Sequence, residues 1–252
     1  MAAAQNDSAN SFGAYKLSSH STQKILAPIK VLVVAAHPDD EALGCGGAMA
    51  RHAANGDEVG VLFMTDGVSS RLSAGETEAA MRNTAMQSAM SILGVSRFQA
   101  MSFPDNAMDR VPLLEITQAI EKFCSDWGVP DTVYTHHGSD LNLDHRLTHQ
   151  AVMTCFRPQP AADGKPAKIL SFEVLSSTGW EGGTSESFRP NYFVDIRSTL
   201  ANKLEALAAY DEEMRPFPHA RSLETAEHLA RYRGSSVGMP AAEAFAVQRI
   251  LA

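Results

Sequence analysis

At 252 residues, 44% of them hydrophobic and 20% charged, the chain can bury one substantial core, so one domain of α/β size is expected and a second is not required. A formal net charge of −8 argues against a broad nucleic-acid or anionic-membrane surface, since phosphate binding needs clustered Lys and Arg. Three cysteines, Cys45, Cys124 and Cys155, fit neither a disulfide framework nor a C-x-x-C motif, which favours a reducing compartment and reads them as small buried hydrophobes.

Residues 1–24, rich in Ala, Ser and Asn, lack the basic start and apolar core of a signal peptide and read as a flexible leader. No apolar run approaches the ~20 residues of a membrane helix, so a cytoplasmic protein without membrane insertion is expected. Ile29–Ala36 is a Val-rich apolar run of the kind that forms a strand buried on both faces. A helix follows over Asp40–Ala54, with acids in its first turn and Asn55-Gly56 as its stop. The pattern continues with a strand at Glu58–Met64, a helix at Glu76–Leu93, a strand at Arg97–Phe103, a helix at Leu113–Trp127 and a strand at Asp131–Thr135. Asp144–Phe156 reads as helix, Pro158–Pro166 as a connection, Ile169–Leu175 as strand and Ser176–Ser187 as a flexible loop. Helices over Ser198–Tyr210 and Leu223–Arg233 and a short strand near Phe245 close the chain. The alternation predicts a single Rossmann-like α/β domain with a mostly parallel sheet flanked by helices.

The strongest local signal is His37-Pro38-Asp39-Asp40-Glu41, where the first strand gives way to the first helix. Carboxyl ends of strands are where open α/β sheets bind ligands. Three adjacent carboxylates repel one another, and a metal ion holds them economically beside an imidazole. The plainer reading makes Asp39 and Asp40 a helix cap and first-turn acid, and His37 a hydrogen-bonded core residue. A second cluster weighs against it: His136, His137, Asp140, Asn142, Asp144 and His145 follow a later strand, with His149 beyond. A catalytic zinc needs three protein ligands and an open position. His37 and Asp40 supply two, and this cluster a third, with further groups to orient the ligands. His149 itself reads as an exposed helical residue.

The string Ala36-His37-Pro38-Asp39-Asp40-Glu41 after a Val-rich strand, with Asp144-His145-Arg146 much later, resembles the LmbE and PIG-L family of zinc-dependent N-deacetylases. The similarity reaches the tail, through Pro218-His219-Ala220-Arg221-Ser222 and Arg231-Tyr232-Arg233-Gly234-Ser235, so residues 25–252 form the expected deacetylase domain. The resemblance implies hydrolysis of the N-acetyl (acyl) group of an amino sugar or its conjugate, with the metal site at the carboxyl ends of strands. His37, Asp40 and His145 would bind Zn2+, a set that other divalent ions also accept. Asp39 would be the general base, with Asn142 and Asp144 completing the catalytic group. Asn142 stands where many members have His; it can donate to an oxyanion but cannot deliver a proton, so either Asn142 suffices as the donor or another group such as His136, His137 or His219 covers the role.

By the same resemblance Arg71 and Asp105, on loops after the second and third strands, would correspond to sugar and anion contacts, and Arg71 suits a phosphate or carboxylate. It reads equally well as a surface arginine. His219 and Arg221 lie in a Pro-rich turn able to fold over the pocket and contact substrate. Gly44-Cys45-Gly46-Gly47 lacks the dinucleotide-binding spacing and reads as close helix packing. Two alternatives stay open: another metal hydrolase, acting on a phosphoester or non-sugar amide, and a non-catalytic descendant that binds a sugar or a partner. Assembly as a homo-oligomer is left open.

Overall fold

The computed structural model describes residues 27–67, 76–158, 166, 168–180 and 186–251. The expected leader, residues 1–24, lies outside them, as do Arg71 and parts of both predicted loops after the fourth helix. Seven strands, β1 (Lys30–Ala35), β2 (Glu58–Thr65), β3 (Arg97–Phe103), β4 (Thr132–His136), β5 (Lys168–Phe172), β6 (Tyr192–Asp195) and β7 (Ala242–Ile250), form one sheet in the order β3-β2-β1-β4-β5-β7-β6. The first five strands pair in parallel, while β7 runs antiparallel to both β5 and β6. The sheet is therefore mixed, a parallel body with an antiparallel edge. β6 escapes sequence reading because its four residues are half-buried and carry no apolar alternation of their own.

Alternation along β1 builds a core on each face. Val31, Val33 and Ala35 pack with residues of α1 (Asp40–Ala54), α2 (Glu76–Ile92), α5 (Leu200–Ala209) and α6 (Leu223–Ser235). Leu32 and Val34 face the opposite core, with Ile116, Ile120 and Phe123 of α3 (Leu113–Trp127) and Val152 of α4 (Leu143–Cys155). A strand buried on both faces needs the continuous apolar run that the sequence carries.

Helix α1 lies unusually close to its neighbours. A Cβ at Gly44 would stand 2.2 Å from the Phe172 ring, and one at Gly47 would stand 2.8 Å from Ile196. The helix is kinked at Cys45, where φ is −147°. Beyond the kink the amides of Gly47 and Ala48 donate to the Glu243 carboxylate at 3.0 and 2.7 Å, and Lys203 pairs with that carboxylate at 2.5 Å. Buried amides thus find an acceptor, and the buried acceptor finds a cation. Cys45 and Cys124 are buried, Cys155 is half-buried, and all three are free.

From β1 the chain steps outward to β2 and β3, then returns to lay β4 on the other side of β1. Loops leaving β1 and β4 therefore diverge, and an open α/β sheet has its binding crevice at such a switch point. Both polar motifs follow these two strands. Among the described residues no helix is long and apolar enough to cross a membrane.

Candidate metal centre

At the end of β1 the backbone turns through Asp39, whose φ of 118° is rare for a residue with a side chain. Asp40 secures the turn: its Oδ2 accepts from the His37 amide at 3.0 Å and lies 3.0 Å from His37 Nδ1. Asp39 occupies the N-cap position of α1, yet its side chain makes no capping bond. The Asp39 amide instead donates to Glu41 Oε2 at 2.9 Å, and Tyr210 Oη donates to Glu41 Oε1 at 2.8 Å. Asp39, Asp40 and Glu41 are all buried. Asp40 and Glu41 do stand in the first turn of the helix, but the Asp39 side chain does not cap it, so the plainer account leaves the burial of the Asp39 carboxylate unexplained.

The second wall comes from the start of α4. Asn142 caps that helix, its Oδ1 accepting from the amides of Asp144 at 2.8 Å and His145 at 3.4 Å. This delivers His145 inward, with Nε2 3.2 Å from Asp40 Oδ2. The other ring nitrogen, Nδ1, lies 3.2 Å from Asp140 Oδ1, and Asp140 Oδ2 is held by Thr178 Oγ1 at 2.5 Å and Ser177 Oγ at 3.1 Å. A carboxylate behind an imidazole fixes its tautomer and ring direction, as metal-ligating histidines require.

Two overlapping sets among the described residues have candidate ligand atoms within 4.8 Å of one another, close enough to hold a metal ion: His37, Asp40 and His145, and His37, Asp105 and Asp144. They differ in what else occupies their atoms. Asp144 already accepts from the amides of Asn106 at 2.7 Å and Met108 at 3.1 Å, which ties the loop after β3 to α4. Asp40 Oδ1, by contrast, is buried without a hydrogen-bond partner, and the buried His145 Nε2 faces the other Asp40 oxygen at 3.2 Å without a well-formed hydrogen bond. Buried polar atoms left unpaired are costly, and a cation between them would satisfy both. The first set therefore fits a metal better.

The electrostatics agree. Burial pushes the Asp40 carboxyl up, but the imidazoles of His145, His136 and His37 together outweigh it and hold it well below the usual range. Burial also opposes charge on His37 and His145; Asp105, Asp144 and Asp40 overcome it at His37, and Asp40 and Asp140 at His145, raising both. Burial lifts Asp39 to about 6, with Asp40 adding to the rise and Arg221 and Arg82 opposing it.

Other sequence-selected residues fall into several places. Asp105 joins the site, with Oδ1 3.2 Å from His37 Nε2. Asn142 points its amide nitrogen at Asn106 Oδ1, 3.3 Å away. His136 lies behind the cluster: its Nε2 accepts from the Ala36 amide at 2.8 Å, its ring stacks on His145 at 3.9 Å, and burial and the neighbouring His145 hold it neutral. His137 turns to a separate cavity of about 310 Å³, with Nε2 donating to the Glu186 carbonyl at 2.9 Å. His149 is not exposed as expected but half-buried, its Nδ1 bonded to the His136 carbonyl at 2.8 Å. His219 stands exposed, accepting from the Arg221 amide at 3.0 Å. Arg221 reaches the crevice and pairs with Asp39 Oδ2 at 2.7 Å.

Sequence reading placed Glu41 and Asp140 in the two polar clusters without giving either a role, and passed over Ser177 and Thr178. Asp140 had a signal in its alternation with Asn142 and Asp144; Ser177 and Thr178 lie in a Ser- and Thr-rich loop and had none.

Sheet order and switch-point crevice define an α/β protein of Rossmann-like architecture, with a candidate metal site of buried His and Asp side chains at the carboxyl ends of β1 and β4. Residues 32–156 match the family profile described as PIG-L, GlcNAc-PI de-N-acetylase. The uncharacterized deacetylase YaiS of Escherichia coli is 30% identical over 182 residues, covering 70% of this chain and 88% of that protein. Diacetylchitobiose deacetylase of Thermococcus kodakarensis is 29% identical over 197 residues, covering 73% of this chain and 70% of that protein. Among solved structures, the conserved protein TT1542 from Thermus thermophilus superposes with a TM-score of 0.69 at 26% identity, covering 89% of this chain and 96% of the other. The chain belongs to the PIG-L (LmbE-like) family.

Proposed function

We propose that this protein is a zinc-dependent N-deacetylase that hydrolyses the acetamide of an N-acetylated amino sugar or sugar conjugate. The observation that carries the reading is the buried His37, Asp40 and His145 set, in which Asp40 Oδ1 has no hydrogen-bond partner, beside an Asp39 carboxylate that caps nothing. Zinc bound by these three residues would supply an acidified water and polarise the amide carbonyl. Asp39, one residue from Asp40, takes the proton from the attacking water as general base and returns it to the departing nitrogen, which leaves as a free amine with acetate as the second product. Raised to about 6, Asp39 is deprotonated at neutral pH yet basic enough to accept that proton. Asp140 keeps His145 aimed, and Asp144 holds the loop that brings Asp105 to the same crevice. The sugar class rests on kinship with a diacetylchitobiose deacetylase.

Acetate release from N,N′-diacetylchitobiose and N-acetylglucosamine by zinc-loaded protein tests the reading. Asp39→Asn should lower turnover about 10²- to 10⁴-fold while zinc stays bound. Undiminished turnover in that variant would remove Asp39 from the mechanism. Stoichiometric zinc without acetate release from a panel of N-acetylated sugars would move the substrate to another bond.

A further inference from the structure

Arg221 enters the crevice from the turn between α5 and α6, and its guanidinium touches three separate segments. Nη1 donates to Asp39 Oδ2 at 2.7 Å, Nε donates to Ser176 Oγ at 2.8 Å, and Glu213 Oε2 lies 3.5 Å from Nη1. Two of these partners share a rare backbone: φ is 118° at Asp39 and 77° at Ser176. Left-handed conformations at residues with side chains persist where the surroundings over-determine them. One planar fork bridges both.

Little else directs the Asp39 carboxylate. Its Oδ1 is buried without a hydrogen-bond partner, and among the described residues the Arg221 guanidinium is the one group bonded to Oδ2. Behind Arg221 the charges continue, since Glu213 Oε1 pairs with Arg82 Nη2 at 3.1 Å and that nitrogen donates to the Gly67 carbonyl at 3.2 Å. The chain of contacts runs from the turn after β1, through the turn before α6, to the loop after β2.

We infer that Arg221 is a positioning residue for the reaction: its guanidinium sets the direction of the Asp39 carboxylate and locks the Ser176 loop and the Glu213 turn against it. The inference rests on the reading of Asp39 as general base. It gives Arg221 a different task from the substrate contact expected of it, because Nη1 and Nε already serve Asp39 and Ser176. Lysine could keep the charge but not the fork, so it would reach one partner and release the other.

The test pairs kinetics with structure, using the full zinc-loaded chain and N,N′-diacetylchitobiose. A base displaced by about an ångström costs on the order of 10²-fold, so Arg221→Ala should lose about that much in kcat with KM little changed. Added guanidinium should restore part of the loss in Arg221→Ala and none in Asp39→Asn. Crystals of Arg221→Ala should show the Asp39 carboxylate swung from its place and Ser176 relaxed to negative φ. Arg221→Lys, which keeps the charge, should fall between wild type and Arg221→Ala in kcat and decides the matter if Arg221→Ala does not fold. A raised KM at unchanged kcat would make Arg221 a substrate contact and overturn the inference. An unmoved Asp39 in Arg221→Ala, or Asp39 and Ser176 both unmoved in Arg221→Lys, would overturn it whatever the activity. Full turnover in Asp39→Asn would instead defeat the reading of Asp39 as base, a failure these variants keep separate.

Discussion

Glu41 lies outside the ligand set, yet its burial gives the turn a distinct pH dependence. Burial pushes its carboxyl from 4.5 up to about 8, against the opposing hydrogen bonds from the Asp39 amide and Tyr210. The folded protein therefore binds a proton there that the unfolded chain releases. Stability from this proton is fully present below pH 4.5 and is lost as pH rises through about 8. Glu41→Gln mimics the protonated group, so metal-free thermal melts should show a flatter decline from about pH 5 to about pH 8 in the variant than in wild type. Equal slopes would contradict the burial argument. Asp140 acts differently, through the ring of His145. Asp140→Asn leaves a side chain of the same shape with a weaker hold on that ring, and zinc affinity should fall about 10- to 100-fold while the fold survives. Unchanged affinity would show that packing alone aims the imidazole. At this scale the candidate ligands were legible, because His37, Asp40 and His145 lie in motifs whose composition is expensive as mere structure. Ser177 was harder to see. Its task depends on which side of His145 the β5 loop crosses, and no local pattern encodes that.

Among the elements, α1 shows how closely the site depends on packing. Its first turn presents Asp40, and its glycine string lets it settle against β5 and Ile196. Gly44→Ala would drive a Cβ into the Phe172 ring and should cost about 1 to 3 kcal/mol by denaturant midpoint. Gly46→Ala meets nothing nearer than 3.5 Å and should be close to neutral, which makes it the matched control. Similar losses at both positions would mean that backbone freedom, not contact, keeps glycine there. Sequence patterning defined α1, β3 and α3 closely because each has a strong periodicity or a clear stop, such as Asn55-Gly56 after α1 and Gly128 after α3. It did not find β6 or the full length of β7. Those strands are defined by pairing with each other, and their residues alone carry a weak signal.

Across the whole molecule, the sheet order brings together motifs that are far apart in sequence. β1 and β4 become neighbours only because the chain returns after β3, and that return opens the crevice in which His37, Asp40 and His145 meet. The tail then closes the arrangement, with Lys203 and Glu243 bracing α1 from below and Arg221 reaching Asp39 from the side. An alternating α/β pattern predicts the parallel body, whereas the long-range ion pairs depend on three-dimensional register and were not readable.

Zinc binding to chelator-stripped protein tests the central claim most directly, measured by titration for wild type and His145→Ala. The account predicts about one zinc per chain for wild type and a sharp loss of affinity in the variant. Because protons compete with the metal for His37 and His145, and the neighbouring carboxylates favour those protons, wild-type affinity should weaken as pH falls. Zinc held equally well by His145→Ala would put the metal on His37, Asp105 and Asp144 instead, and a wild-type protein that binds no zinc would contradict the metal-dependent mechanism itself.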